Sequence, residues 1–277
     1  METQDYNHPV LICKIDSIFS DINDLIFIDN EDVVVTASKD RVIRIFQLRT
    51  DKRYCESVAE IIPSPANCLL HDSNKKLLYA ALENGTVSVF SLQDDFNAMT
   101  FMRDYLPHTG CITGLALDAD LNVIISTSFD NTVALCNLRK NSACETVYKL
   151  ESHGTCLSYN PIMRHVFVGE SSGVITCLRL VRESDRVTHE VMQVLRSHTE
   201  EITGLAWDGL RSHLFSSSKD CSVISWDIGN DNRAHYVLQA HVKEATSVCW
   251  WAGGVSPIEN NPRGMAISAG LDGLLVF

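Results

Sequence analysis

The sequence predicts an all-β protein built as a β-propeller, and three observations carry that expectation. One pattern recurs six times in register, every 42–52 residues. Within each copy, short runs rich in Val, Ile, Thr and Phe alternate with clusters of Asp, Asn, Gly and Ser, the rhythm of strands and turns rather than helices. A four-stranded sheet of about 40–50 residues cannot bury both faces alone, and radial stacking is the arrangement that covers them.

The copies are read in chain order as "TASKDRVIRIFQL" from Thr36, "AALENGTVSVFSL" from Ala80 and "STSFDNTVALCNL" from Ser126. They continue as "VGESSGVITCLRL" from Val168, "SSSKDCSVISWDI" from Ser216 and "SAGLDGLLVF" from Ser268. Each carries a turn residue at its fifth place: Asp40, Asn84, Asp130, Ser172, Asp220 and Asp272. Asp and Asn-Gly suit this place because they tolerate left-handed backbone and bond nearby amides. Three positions on, every copy has an aliphatic residue: Ile43, Val87, Val133, Ile175, Val223 and Leu275. The expected blades cover about 16–60, 61–106, 107–150, 151–196, 197–239 and 240–277, the last incomplete, with 11–15 as a strand that closes the final blade.

Composition narrows the function. A net charge of −12 over 277 residues repels phosphate backbones and anionic headgroups, so nucleic acid is not an expected partner. Ten cysteines are scattered without a CxxC pair, which gives zinc no foothold and suggests reduced thiols packing as small hydrophobes, as at Cys13, Cys136, Cys177 and Cys249. The N-terminus "METQDYNHPV" has no signal-peptide form and no apolar run approaches the ~20 residues of a membrane span, so a cytoplasmic protein is expected. There is no GxxxxGK[ST] phosphate loop and no HExxH, so no cofactor or metal is expected in this chain.

One constellation could carry chemistry. His198, Ser216 and Asp220 are separated by 18 and then 4 residues, and His108, Ser126 and Asp130 repeat those intervals. His241, Ser268 and Asp272 show 27 and then 4, the longer gap holding "GVSPIENNPRG". A histidine, a hydroxyl and a carboxylate can activate a nucleophile, or they can clamp strands together. A catalytic site is built once, and no G-x-S-x-G elbow accompanies these serines. Recurrence therefore points to a structural clamp, with the Trp226 indole N–H as a fourth member, and no catalytic residue is assigned. Trp250-Trp251 lies on a first strand, where at least one ring packs between blades. The residues just before each turn, Lys39, Glu83, Phe129, Ser171, Lys219 and Leu271, should line one loop-rich rim, with Phe129 and Leu271 as apolar anchors for a protein partner.

The fifth copy, "SHTEEITGLAWD" followed by "SSSKDCSVISWD", resembles a complete WD repeat ending in Trp226-Asp227. Phe46 and Phe90 keep an aromatic at the Trp226 place, whereas Cys136 and Leu178 do not. Further phrases, "PVLICKIDSIF", "TASKDRVIRIF", "DDFNAMTFMRDYLPH", "FVGESSGVITCLRL" and "SWDIGN", are similar to the propeller of the WD-repeat and FYVE-domain proteins. That resemblance implies seven blades, with a zinc-bearing FYVE finger after the sixth that binds phosphatidylinositol 3-phosphate and reaches early endosomes. It also implies a scaffold for kinases of the Akt and atypical protein kinase C type and their substrates. This chain ends at Phe277 without an RHHC motif or paired zinc cysteines. The expectation is thus a propeller truncated before the finger, its ring open, as a fragment or a short isoform, with zinc and lipid binding left to a longer protein. The competing readings are a WD-repeat adaptor of another complex and a propeller hydrolase using its central cavity.

Overall fold

β-Branched residues fill the second strand of the first and third sheets. VVVTAS at Val33–Ser38 and VIISTS at Val123–Ser128 are buried along their whole length, where branched side chains fit a pleated surface covered on both faces. The computed structural model describes residues 14–28, 31–139, 144–183, 186–209, 212–228, 234–251 and 264–277. Among them the regular structure is all strand, in six antiparallel meanders.

The first sheet is β1 (Ile22–Ile28), β2 (Val33–Ser38), β3 (Val42–Leu48) and β4 (Tyr54–Ile61), and the second is β5 (Ala66–Asp72), β6 (Leu77–Leu82), β7 (Val87–Leu92) and β8 (Met99–Tyr105). The third is β9 (Ile112–Asp118), β10 (Val123–Ser128), β11 (Thr132–Asn137) and β12 (Cys144–Lys149). The fourth is β13 (Gly154–Asn160), β14 (His165–Glu170), β15 (Val174–Glu183) and β16 (Arg186–Arg196). The fifth is β17 (Ile202–Asp208), β18 (His213–Ser218), β19 (Val223–Asp227) and β20 (Ala234–Leu238). The sixth holds three strands, β21 (Ala245–Trp251), β22 (Met265–Gly270) and β23 (Leu275–Val276). Of the expected closing strand, residues 11–13 lie outside the described residues, and Lys14 and Ile15 belong to no strand. The insertion at 252–263 also lies outside them. No helix of the described residues is long and apolar enough to cross a membrane.

The turn between second and third strands differs from the sequence expectation in one detail. The left-handed residue is the one after the turn residue: Arg41, Gly85, Asn131, Gly173, Cys221 and Gly273, with φ between 65° and 86°. Each donates its N–H three residues back, as Arg41 does to Ser38 O at 3.1 Å and Gly173 to Glu170 O at 3.1 Å, giving a tight turn followed by a left-handed bulge. The turn residue caps instead. Asp40, Asn84, Asp130, Asp220 and Asp272 each accept the N–H two residues on, at 2.9–3.1 Å, because a carbonyl or carboxylate oxygen one carbon beyond Cβ reaches that amide. Gly173 is required twice over: its φ is +80°, and a Cβ there would stand 2.7 Å from His198 O and 2.8 Å from Glu200 O.

The chain divides into two compact units, residues 1–80 with 88–103, and residues 81–87 with 104–277. In the first, the two sheets are joined by the Asp24 carboxylate, which accepts the Leu69 N–H at 2.6 Å, and by the Asn23 amide, which donates to Ala66 O at 3.0 Å. In the second, apolar side chains fill each gap between successive sheets. Ile125, Val133 and Leu135 meet Val166, Val168 and Leu178; Phe167, Ile175 and Cys177 meet Ile202, Leu214 and Trp226. Burial at this scale, about 25 cal/mol per Å² of apolar surface, is the main stabilising contribution. A repeated threonine adds a polar staple: Thr113, Thr155 and Thr203 donate to Gly154 O, Ile202 O and Ala245 O of the next sheet at 2.6–2.7 Å. Trp250 stacks on Phe215 with centroids 5.1 Å apart, whereas Trp251 is 53% exposed.

The cysteine expectation needs a correction. Cys136 and Cys144 are direct register partners on β11 and β12, 4.1 Å apart at Cα, and form a disulfide. Single cysteines on neighbouring antiparallel strands can meet without any CxxC spacing, so the sequence pattern gave no warning. The seven other described cysteines form no disulfide. Burial pushes the Cys156 and Cys177 thiols up to about 12, which keeps them protonated and unreactive.

Candidate functional site

The best-formed trio lies in the fifth sheet. The loop before β17 presents His198, the middle of β18 presents Ser216, and the following turn presents Asp220. His198 Nδ1 is 2.9 Å from Asp220 Oδ2, and Nε2 is 2.7 Å from Ser216 Oγ. Trp226 on β19 donates its indole N–H to Ser216 Oγ at 2.8 Å. The donors order themselves without conflict: indole to serine, serine hydroxyl to Nε2, and Nδ1–H to the carboxylate. That order requires a neutral imidazole with its proton on Nδ1.

The other two trios repeat the geometry. His108 places Nε2 2.9 Å from Ser126 Oγ and Nδ1 3.1 Å from Asp130 Oδ2. His241 places Nε2 2.9 Å from Ser268 Oγ and Nδ1 3.2 Å from Asp272. A hydroxyl two residues after the turn is a member that sequence reading missed. Thr132 donates to Asp130 Oδ1 and Ser222 to Asp220 Oδ1, both at 2.6 Å. Its signal was present, a Thr or Ser two places after Asp in the third and fifth copies.

Electrostatics agree with the neutral tautomer. Burial disfavours the imidazolium and holds His108 and His198 below the ordinary histidine value, despite the carboxylate beside each. For Asp130 and Asp220 burial acts upward, but the hydroxyl, amide and imidazole donors outweigh it and hold both below the usual carboxylate range. In Asp272 the Val242 N–H, donating at 3.0 Å, leads the downward shift.

Degenerate copies stabilise the same turn by other means. In the first sheet, Arg44 donates to both carboxylate oxygens of Asp40, at 2.7 and 3.3 Å, and to Ser38 Oγ at 3.1 Å. In the fourth, a fully buried Glu170 accepts from Ser152 N at 2.9 Å and Thr176 Oγ1 at 2.7 Å, and Ser152 donates to Ser172 Oγ. Neither substitute shares the histidine's place, so a search for His–Ser–Asp spacing passes them by.

Chemically, the trios are closed. Ser126 and Ser216 have no solvent exposure, and the side chains of all three histidines have none. A nucleophile needs a face for substrate and oxyanion donors beyond it. Among the described residues no cluster of three His, Cys, Asp or Glu side chains converges to hold a metal ion, so no zinc site or zinc-dependent step is assigned.

The residues before each turn sit at a common backbone node. Lys39, Phe129, Ser171, Lys219 and Leu271 each donate the main-chain N–H to the carbonyl of the loop entering their own sheet, at 2.9–3.0 Å. Their side chains diverge. Lys39 pairs with Asp21 and Lys219 with Glu201, Glu83 is exposed, and Ser171 is half-buried. Phe129 is 47% exposed with its ring tilted against His153, and Leu271 is 59% exposed.

Comparison with known proteins fits this geometry. Residues 13–47, 99–137 and 189–227 match the WD domain, G-beta repeat. The chain is 31% identical over 245 residues to WD repeat and FYVE domain-containing protein 1 of Mus musculus, covering 88% of this chain and 58% of that protein. It is 33% identical over 241 residues to WD repeat and FYVE domain-containing protein 2 of Caenorhabditis briggsae, covering 87% and 56%. Against the Homo sapiens protein of that second name it is 31% identical over 231 residues, covering 83% and 56%. The chain thus spans a little over half the length of these curated relatives. Among solved structures, the crystal structure of the computationally designed Ika8 protein shares the fold, with a TM-score of 0.70 at 18% identity over 95% of this chain and 72% of that one. The chain is a WD-repeat β-propeller, and its curated homologues are the WD repeat and FYVE domain-containing proteins.

Proposed function

We propose that this chain is a non-enzymatic protein-interaction scaffold acting in endocytic trafficking and kinase signalling. Its proposed partners are kinases of the Akt and atypical protein kinase C type and their substrates. One observation carries the non-enzymatic reading: each histidine that could activate a serine is spent inside a sheet, three times over, with its hydroxyl partner buried. The trios then serve as clamps within blades bounded near 16–60, 61–106, 107–150, 151–196, 197–239 and 240–277. What remains for recognition is the set of residues before the turns, with Phe129 and Leu271 as exposed apolar anchors on a rigid frame. The names of the relatives support the endosomal setting, since a FYVE domain in the longer protein would hold zinc and bind phosphatidylinositol 3-phosphate.

The test is affinity capture with purified chain, quantifying Akt and atypical protein kinase C on wild type and on a Phe129→Asp/Leu271→Asp pair. Capture by wild type and its loss from the folded pair is expected. Equal capture by both, or by neither, overturns the reading.

A further inference from the structure

An open groove of about 720 Å³ in the second unit is lined by Asp120, the turn 161–164, His165 and the β15 segment 179–182. Although the chain carries a net charge of −12, three arginines line this one groove: Arg164, Arg179 and Arg182. Arg164 lies 3.9 Å from the Asp118 carboxylate, which already accepts the Tyr159 hydroxyl at 2.5 Å and the Leu121 N–H at 2.9 Å. Arg179 and Arg182 form no ion pair among the described residues, and Glu190, opposite Arg179 in register, does not close to pairing distance. His165 Nδ1 is buried without a hydrogen-bond partner in the same lining. Burial and the neighbouring Arg179 charge together hold that imidazole below its ordinary value.

The internal repeat shows that the fold does not ask for these charges. Arg164 occupies the place of Asp32, Lys76, Asn122 and Ser212, each of which accepts the same backbone N–H from the third strand at 2.9–3.2 Å. Arg179 occupies the place of Gln47, Ser91, Asn137 and Asp227. Lys76, the other cation in the first set, is neutralised by Asp94. Of the five sheets compared, the fourth alone therefore gathers arginine at both places, and among the described residues two of its three guanidinium groups form no ion pair, although Asp120 lines the same groove.

Guanidinium forks match the tetrahedral oxygens of a phosphate, and several forks suit a dianion better than a single carboxylate. Beside them the turn exposes Ile162 (83%) and Met163 (48%), an apolar ledge for whatever flanks the phosphate. The overall negative charge opposes adsorption onto an anionic bilayer, whereas a short segment meets only the local field. We propose that this groove receives a phosphoserine or phosphothreonine side chain of a partner protein, its phosphate held by Arg164, Arg179 and Arg182 and its neighbouring residue set against Ile162 and Met163. The proposal rests on the reading of the chain as a protein scaffold and adds a site separate from Phe129 and Leu271.

The test is fluorescence anisotropy of the purified full chain with a degenerate phosphoserine peptide library and its unphosphorylated counterpart. The phosphorylated library should bind, inorganic phosphate should compete, and Arg179→Ala/Arg182→Ala should weaken binding by about tenfold or more with an unchanged melt. Arg179→Lys keeps the charge but not the fork and should lose several-fold, which preserves the test if the double variant unfolds. The Phe129/Leu271 variant should bind the phosphopeptides normally, so failure at the turn residues and failure at the groove are told apart. Equal binding of both libraries overturns the proposal, as does indifference to the arginine substitutions. Arginine-dependent binding to phosphatidylcholine vesicles carrying phosphatidylinositol 3-phosphate, without phosphopeptide binding, also overturns it in favour of a lipid headgroup.

Discussion

Replacing His198 with alanine removes the hub of the fifth-sheet clamp, and the structure sets the scale of the loss. The bond to the Asp220 carboxylate, at 2.9 Å, belongs to the charged class that contributes about 1.5–3 kcal/mol, and the bond to Ser216, at 2.7 Å, to the neutral class of about 0.5–1.5 kcal/mol. Neither partner is orphaned by the change. Asp220 keeps Thr199 N, Ser222 N and the Ser222 hydroxyl, and Ser216 keeps the Trp226 indole. The expected cost is therefore about 3 kcal/mol rather than the larger penalty of a stranded buried charge. For a chain of this size that lowers Tm by roughly 6–12 °C. Calorimetry reads the shift, and a cycle with Asp220→Asn should return a coupling of about 1–2 kcal/mol. A His198→Ala variant melting within about 2 °C of wild type would refute the clamp reasoning.

Three further outcomes follow from the same geometry. His108 and His198 have depressed values in the fold, so below about pH 6.5 the unfolded chain binds protons that the fold refuses, and stability falls with acidity toward the folded values. The depressed Asp130 and Asp220 add a second loss at lower pH, and urea midpoints from pH 7.5 to 5 should drop more steeply in wild type than in His108→Ala/His198→Ala; equal slopes contradict the assignment. Trp226→Phe removes only the indole donor to Ser216 and should cost about 1 kcal/mol by urea titration, well under the His198 change, since the first two sheets already carry Phe46 and Phe90 there. Gly173→Ala combines left-handed strain with a Cβ 2.7 Å from His198 O and should cost about 2–4 kcal/mol, whereas Cys221→Gly at the matching place should change stability by less than about 1 kcal/mol.

The strands and the histidine trios were legible because both repeat. The Val and Ile runs of β2 and β10 and the 18-and-4 spacing of His108 and His198 each recur at fixed offsets from a turn residue. Features that occur once left no such trace. Glu170 enters the fourth turn from the end of β14, and Arg44 enters the first from β3, so each reaches the turn from a place no histidine occupies. The Cys136–Cys144 pairing depends on the register of β11 against β12, which eight residues of sequence separation do not reveal. Arg164 and Arg179 are 15 positions apart and meet only because a hairpin folds β15 back along β14.

The degenerate copies show which part of the repeat physics will not give up. Five of the six turns keep a side-chain oxygen capping the amide two residues on, and all six keep the left-handed residue after it. The partner of that turn varies freely among imidazole, guanidinium and carboxylate. The difference is one of locality. A strained backbone position can be stabilised only by atoms already beside it, whereas a buried polar group needs only a complementary donor or acceptor within reach, whichever strand supplies it. Hence the turn stays while the histidine lapses, and a copy without histidine is a differently satisfied blade rather than a broken one. Transplanting His and Asp into the fourth sheet at the matching places, 22 residues apart, as Leu150→His with Ser172→Asp, should then fail to stabilise it. Glu170 already fills that polar need, and a second carboxylate beside it adds like-charge repulsion. A gain in Tm from that double substitution would show that the clamp, not satisfaction of the turn, is what the repeat selects.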